Sequence, residues 1–475
     1  MLRRAPFQRP SAARLDKARL QLERALGPSK VITSPDACLA YAGDESDQEP
    51  VLPDAVVLAS SADDVAKALA VALDAEVPIT PRAGGSGKSG GAVPVAGGIV
   101  LATLGMGSLI EIDSDELIAV VEPGLVLAEL HAAVEACGLF YPPDPNSLAW
   151  CALGGNIAEN ASGPRAFKYG PTRDYILGLD VITLGGARLS TGRRTRKGVT
   201  GYDVTSLLVG SEGTLAVTTR ATLRLVPKPA SVMTLLALFG SVHAAGSAVS
   251  AIIAAGLTPR CLELLDAATL SAVRSQGTAL DDRANAMLII EADGEPDGVA
   301  AATERIGAEC VAHQALDVLV AQDEAKRARL WEARRQLSFA TRAMARFKIS
   351  EDVVVPRTKI PALLDEVERI AAETRVRMLT YGHAGDGNLH VNFLWSEPDE
   401  VPRVEDGLRR LFRAVVGMRG TLTGEHGMGT SKSEYLPLEQ SAELIDLQLR
   451  LKAVFDPKGL LNPGKIFPRA SHGAC

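Results

Sequence analysis

The sequence predicts an α+β protein of more than one domain, and three observations carry that prediction. At 475 residues the chain exceeds what one ordinary core fills. Short strand-like runs and helix-like runs are interspersed along its whole length. "PKPA" at 227–230 then separates two differently patterned halves.

Residues 14–26 have helical spacing, and "DAVVLAS" (54–60) reads as a strand leading into a helix from Asp63 to Ala75. "VPIT", a glycine-rich segment and the strand "GIVLATL" (98–104) follow. Up to about 227, runs such as "LIAVVEPG", "ILGLDVITL" and "GTLAVTTRATLRLV" alternate with helices such as 125–137. Beyond the proline boundary, strand "SVMTLLALF", helix 242–255, strand "NAMLIIEADG" and helix 297–309 follow. That β-α-β-α order predicts a sheet covered by helices on one face. A charged helix over 321–345 precedes strand "EDVVVP", helix 360–374, strands "VRMLTY" and "LHVNFLW", and helix 402–416. Glycine-rich turns and one helix, 439–454, complete the chain. The domains expected are a tail and helix (1–34), a first domain (35–228), a second (229–420) and a returning segment (421–475).

A net charge of −7 without a basic stripe argues against nucleic-acid binding. Cysteines at 38, 137, 151, 261, 310 and 475 are too far apart for CxxC knuckles or iron–sulfur ligands, so free thiols are expected. The apolar stretch 231–257 is broken by Gly240, His243 and Gly246 and reads as strand then helix, not as a membrane span. "MLRRAPFQRPSAARL" carries four arginines and no acid, the pattern of a transit peptide or of a plain tail. The expectation is a cytoplasmic protein, peripheral to a membrane at most, or a mitochondrial one if that tail is a targeting segment.

"PRAGGSGKSGGAVP" (81–94) contains a literal GxGxxG, but Pro94, Gly97 and Gly98 follow it and then a strand. A dinucleotide fingerprint must open a helix, so a Rossmann site is not expected. The P-loop pattern fails on Arg82, which stands where glycine is required. What remains is a run of small residues whose N–H groups can converge on an anion, flanked by Arg82 and Lys88.

Together with "YPPDPNSLAWCALGGNIAENASGP", "GYDVTSLLVGSEGTLAVTT" and "LLNPGKIFP", this loop resembles the FAD-binding domain of the vanillyl-alcohol oxidase and p-cresol methylhydroxylase class. The resemblance is greatest to the branch of glycolate oxidase D subunits, D-lactate dehydrogenases and D-2-hydroxyglutarate dehydrogenases, and covers roughly residues 35–468. It implies a two-part FAD-binding domain and a cap domain with an antiparallel sheet covered by helices. Arg82, Gly84, Gly85, Ser86, Gly87, Lys88, Ser89 and Gly90 would then hold the pyrophosphate. Gly154, Gly155, Asn160 and Gly163 would line the adenosine and ribityl path, Glu212 and Gly213 would lie beside the cofactor, and Asn462 would close the site. No histidine precedes position 131, which leaves no tether in the first loop and implies noncovalent FAD.

His383 and His390 flank a Gly-Asp-Gly turn in "YGHAGDGNLH", and "TLTGEHGMGTSK" adds Glu425 and His426. Seven residues apart in one strand, the two imidazoles would face opposite ways, whereas a turn can fold both toward one point. Two imidazoles and a carboxylate suit Zn²⁺, Mn²⁺ or Fe²⁺; satisfied polar groups in turns are the structural alternative. The resemblance implies that His383, His390 and Glu425 bind a divalent metal, Zn or Mn, and that His426 is the general base. It implies Arg334 and Asn392 as substrate ligands, in an FAD-dependent, metal-assisted oxidation of a D-2-hydroxy acid with hydride passing to flavin N5. The branch's 2-hydroxyglutarate enzymes carry a lysine where Ser350 aligns, two residues from Lys348, which leaves a distal-carboxylate contact open.

With no relay centre in the chain, electrons would pass to a separate acceptor: a cytochrome, a quinone-linked protein, an electron-transfer flavoprotein or O₂. A homodimer is compatible with the sequence. The alternatives are a redox-neutral flavin transferase of the alkylglycerone-phosphate synthase type, a noncatalytic flavoprotein subunit, and a metallohydrolase with incidental glycine loops.

Overall fold

The computed structural model describes residues 7–275, 281–321 and 323–469. The chain divides into two compact units. Ser162–Gly170 and Pro229–Gly424 form one, here the histidine unit; residues 7–161, Pro171–Lys228 and residues 425–469 form the other, the glycine-loop unit.

In the glycine-loop unit, β1 (Val31–Ile32), β2 (Ala55–Leu58), β3 (Ile79–Arg82) and β4 (Ile99–Ala102) form a sheet in the order β1-β2-β4-β3. The β2–β4 and β3–β4 pairs are parallel. β2, β3 and β4 are short and apolar at their starts, and the helix Ala62–Ala75 covers them through Val65, Leu69 and Ala72. A second sheet takes the order β5-β6-β10-β8-β9 from β5 (Leu109–Asp113), β6 (Ile118–Val121), β8 (Ile176–Ile182), β9 (Arg188–Gly192) and β10 (Val217–Arg224). β7 (Leu139–Phe140) pairs with β11 (Val226–Pro227).

The histidine unit is built on seven strands: β12 (Ser231–Phe239), β13 (Cys261–Leu265), β14 (Ala286–Gly294), β15 (Ala315–Val320), β16 (Phe347–Val354), β17 (Arg377–His383) and β18 (Asn388–Trp395). They run β15-β12-β14-β13-β17-β18-β16, and every pairing is antiparallel. Helices cover both faces, not the single face that the β-α-β-α order suggests. On one side Leu270 and Leu337 pack with Leu265, Ile289 and Leu379. On the other, Gly407 sits against Phe393 and Gly307 against Leu235. The strands show why: β13 and β18 are buried at every position, which a sheet with one solvated face would not allow.

No helix of the described residues is long and apolar enough to cross a membrane. The arginine-bearing start is only partly described, since residues 1–6 lie outside the described residues; Arg9 bonds to Asp54 and Leu52, and a helix spans Ala12–Leu26.

Candidate functional site

Cross-strand register gathers the polar residues of the histidine unit. Glu263 lies opposite His383, Tyr381 opposite His390, Asn392 opposite Leu379 and Ser350, and Asp352 opposite His390. Directly opposed residues share a face, so these side chains and Lys348 all project to the same side of the sheet. The hairpin resolves the odd spacing of the two histidines: each stands on its own strand, and their ring centroids are 5.2 Å apart. Gly387, at φ +78°, allows the turn; a Cβ there would lie 2.0 Å from the Val355 carbonyl oxygen.

A buried carboxylate that the motifs do not mark holds this group together. Glu263 Oε2 accepts from Arg334 Nε and Nη2 at 2.7 and 2.5 Å, and Oε1 lies 2.5 Å from His383 Nδ1. Burial alone would raise this carboxyl, but Arg334 and His383 hold it at about 2. With Nδ1 engaged by Glu263, Nε2 is the nitrogen left to face a ligand. The one sequence signal was a carboxylate inside the apolar strand "CLELL".

Gly424 ends this unit, its N–H bonded to the Asp352 carbonyl and carboxylate at 2.9 Å each. That anchor sets where the next residue, Glu425, leaves the sheet. One ligand atom each from His383, His390 and Glu425 lie within 4.8 Å of one another, a donor set that fits a divalent cation. His426 Nε2 is 3.9 Å from Glu425 Oε1.

Tyr381 forms the floor beside the histidines, its ring 5.7 Å from that of His390. Arg334 stands 5.0 Å and the Lys348 amine 5.9 Å from its centroid. Lys348 donates to Thr341 Oγ1 at 2.7 Å, and burial, with Arg342 nearby, brings its amine down to about 7. Ser350 shares the face, yet Lys348 supplies the cation there. Arg346 lies instead over Phe347. Asn392 donates to the Leu379 and His390 carbonyls, while its buried Oδ1 has no hydrogen-bond partner. As it stands, Asn392 offers a substrate an acceptor, which suits a hydroxyl and not a carboxylate.

In the glycine-loop unit, the segment between β3 and β4 contains no helix, so the GxGxxG does not take the Rossmann form. A Cβ on Gly84 would lie 2.4 Å from the Trp150 carbonyl oxygen, and Gly90 is at φ +82°. Ser89 keeps a buried hydroxyl without a partner, and its carbonyl accepts from Thr430 and Ser431. Arg82 turns back to the Gly43 carbonyl at 2.5 Å and packs beneath Gly85, so it braces the loop instead of standing open as a flanking cation.

Glu212 accepts from the Met428 and Gly429 N–H groups at 2.8 Å each, and burial raises its carboxyl to about 7 despite them. Asn462 ties this knot together by donating to the Gly91 and Glu212 carbonyls, leaving its own Oδ1 buried without a partner. Gly213 touches Pro81, Gly155 lies near Ala83, and Asn160, at φ 53°, caps the helix Leu153–Glu159. Gly154 packs on Pro123. Gly163 falls in the histidine unit. Buried Lys465, brought down to about 8 by desolvation, donates to the Val93 carbonyl. A cradle of mostly small residues with an unpartnered buried hydroxyl at Ser89 fits a large, polar, phosphorylated cofactor. His131 is not available as a tether, being buried with Nε2 3.0 Å from the Pro143 carbonyl oxygen.

Residues 53–192 match the FAD binding domain model and 228–466 match the model for the C-terminal domain of FAD linked oxidases. The chain is 42% identical to the glycolate oxidase subunit GlcD of Bacillus subtilis, across 94% of this chain and 96% of that one. It is 34% identical to a D-lactate dehydrogenase of Archaeoglobus fulgidus, across 86% and 90%. Its fold is that of p-cresol methylhydroxylase, at a TM-score of 0.83 and 16% identity over 97% of this chain and 98% of that one. With a cradle built for a phosphorylated cofactor and matches along nearly the whole chain, this protein belongs to the FAD-linked oxidases and is an FAD-dependent oxidoreductase.

Proposed function

We propose that the protein oxidises a D-2-hydroxy acid of the D-lactate, glycolate or D-2-hydroxyglutarate type to the 2-oxo acid, using noncovalent FAD and a divalent metal. The observation that carries this reading is the convergence of His383, His390 and Glu425 beside two buried cations, Arg334 and Lys348. The names of its relatives, a glycolate oxidase subunit and a D-lactate dehydrogenase, support it. His383, His390 and Glu425 would hold the cation, which would supply acidification of the substrate hydroxyl, and FAD in the glycine-loop unit would supply the hydride acceptor at N5.

The chain's own residues do the rest. Arg334, through the donors its bond to Glu263 leaves over, and Lys348 hold the carboxylate. A second carboxylate, as in 2-hydroxyglutarate, would divide the two cations between its ends. Asn392 Oδ1 accepts from the hydroxyl as the substrate enters. His426 then takes the hydroxyl proton. Glu263 keeps His383 in the tautomer whose Nε2 can ligate.

Anaerobic titration of the purified holoprotein with D- and L-lactate, glycolate and D-2-hydroxyglutarate tests this directly. Flavin absorbance is expected to bleach with one D-acid (or with glycolate), to stop bleaching after EDTA treatment, and to recover with Zn²⁺ or Mn²⁺. If no hydroxy acid reduces the flavin and no metal is found, the redox-neutral transferase takes its place.

Lys348 provides a second test. Its folded-state pKa of about 7 lies below the ordinary 10.5, so between those values the unfolded chain binds more protons and stability rises with pH. Lys348→Met is expected to raise the thermal midpoint at pH 6, through a gain in unfolding free energy of at least about 2 kcal/mol given about 1.4 kcal/mol per pKa unit. That gain should shrink toward pH 10. Substrate affinity should fall about 10- to 100-fold, the worth of one hydrogen bond to a charged group. Equal midpoints at pH 6 would show that Lys348 carries no burial penalty.

A further inference from the structure

The stretch from Arg188 to Asp203 lies at the outer edge of the five-stranded sheet of the glycine-loop unit. β9 is an edge strand, hydrogen-bonded to β8 alone, and is exposed at four of its five positions. An edge strand leaves a row of backbone donors and acceptors open to pairing. The loop that follows carries Arg193, Arg194, Arg196 and Lys197 in a chain of net charge −7. It also holds Val199 and Tyr202 at 99% and 98% exposure, while the next most exposed large apolar side chain, Val454, is at 78%.

Both ends of this loop are fastened. Arg194 grips Glu111 with two hydrogen bonds of 3.0 and 2.6 Å. Asp203 caps the helix Val204–Leu208 by accepting from Ser206 N at 2.9 Å. Between the anchors, Arg196 and Lys197 form no ion pair among the described residues, and Val199 and Tyr202 are held out in water. The helix then runs into Gly210 and Glu212, and Glu212 belongs to the cradle described above; Arg173 fastens that helix through the Ser206 and Val209 carbonyls.

An FAD-linked oxidoreductase must pass its electrons on, and the described residues hold no relay: the described cysteines are unpaired, and the one cluster of metal-ligating side chains is the group around His383. We propose that residues 188–203 are the docking surface for the protein that reoxidises the flavin, a partner whose contact face is acidic around an apolar centre. Basic side chains would steer the encounter and Tyr202 and Val199 would seat it. This rests on the oxidoreductase reading but not on which acid is the substrate.

The test uses the holoprotein, with its flavin reduced chemically under anaerobic conditions and mixed rapidly with soluble cytochrome b5, an acidic haem protein. Each reduced flavin delivers two electrons, one to each of two ferric haems, and releases its added hydrogens to water as protons. Reoxidation is expected to saturate with cytochrome b5 and to slow about 10-fold or more as salt is raised. Arg196→Glu with Lys197→Glu should lower the second-order rate constant at least about 10-fold, and Val199→Ser with Tyr202→Ser should raise the half-saturating concentration. Reoxidation by a small neutral quinone should be unchanged in every variant, which excludes misfolding as the cause. The proposal is overturned if the native protein reduces cytochrome b5 no faster than it reduces basic cytochrome c, or if the variants match the native protein. It is also overturned if the variants lose only binding to anionic phosphatidylglycerol vesicles, or only self-association by light scattering. Because the flavin is reduced chemically, failure of every hydroxy acid to bleach it would sink the substrate reading and leave this result standing.

Discussion

Replacing His426 with alanine is expected to lower kcat by about 10²- to 10⁴-fold, the range for loss of a positioned general base. Flavin content and metal content should stay at native levels, because His426 is not one of the three residues that converge as a ligand set. The structure makes the residue a candidate through its neighbour: Glu425 sits with His383 and His390, and the His426 Nε2 atom is 3.9 Å from that carboxylate. A base acting on a hydroxyl held at the same centre needs such proximity. Two readouts separate catalysis from mere support of Glu425. Added imidazole should restore part of the rate in the alanine variant, as free base replaces the missing ring. With substrate deuterated at C2, the isotope effect should shrink if proton removal has become limiting. Loss of metal with no rescue by imidazole would assign His426 a structural role.

The parts of this site that could be read in the sequence are those that lie close together along it. The turn between His383 and His390 and the pair Glu425-His426 stand out as local patterns, because glycine marks the places where the backbone bends. Glu263 did not, since it meets His383 across a separation of 120 residues and only strand register brings them together. Lys348 was seen only as a neighbour of Ser350. Reading position 350 against a family pattern pointed to Ser350, but residues 348 and 350 share a strand face and the longer side chain fills the place. The helices on both faces of the seven-stranded sheet were foreshadowed by its apolar strands, yet a β-α-β-α order does not say which face each helix takes. Arg82, read in the sequence as a cation flanking the glycine loop, also braces it, since its guanidinium donates to the Gly43 carbonyl.

Glu263 should tolerate no substitution without effect, and two substitutions should fail differently. Glu263→Gln keeps the shape and an oxygen toward Arg334 but offers no charge to either partner, so His383 loses the group that fixes its tautomer. Metal affinity is expected to fall about 10- to 100-fold, as for other residues that orient a metal-bound imidazole. Equilibrium dialysis against buffered Zn²⁺ would measure it. Glu263→Leu is the more severe change, because Arg334 is 6% exposed and would be left as a buried cation without its carboxylate. Removal of one partner from such a pair costs about 3–5 kcal/mol, a large share of the roughly 5–15 kcal/mol that holds a domain folded. Denaturant unfolding of Glu263→Leu should therefore show a lowered midpoint. The double replacement Glu263→Leu with Arg334→Met should recover much of that stability while remaining inactive, because it removes both charges together and with them a carboxylate-binding cation. If the double variant is no more stable than Glu263→Leu alone, the Glu263–Arg334 ion pair is not what holds this face of the sheet together.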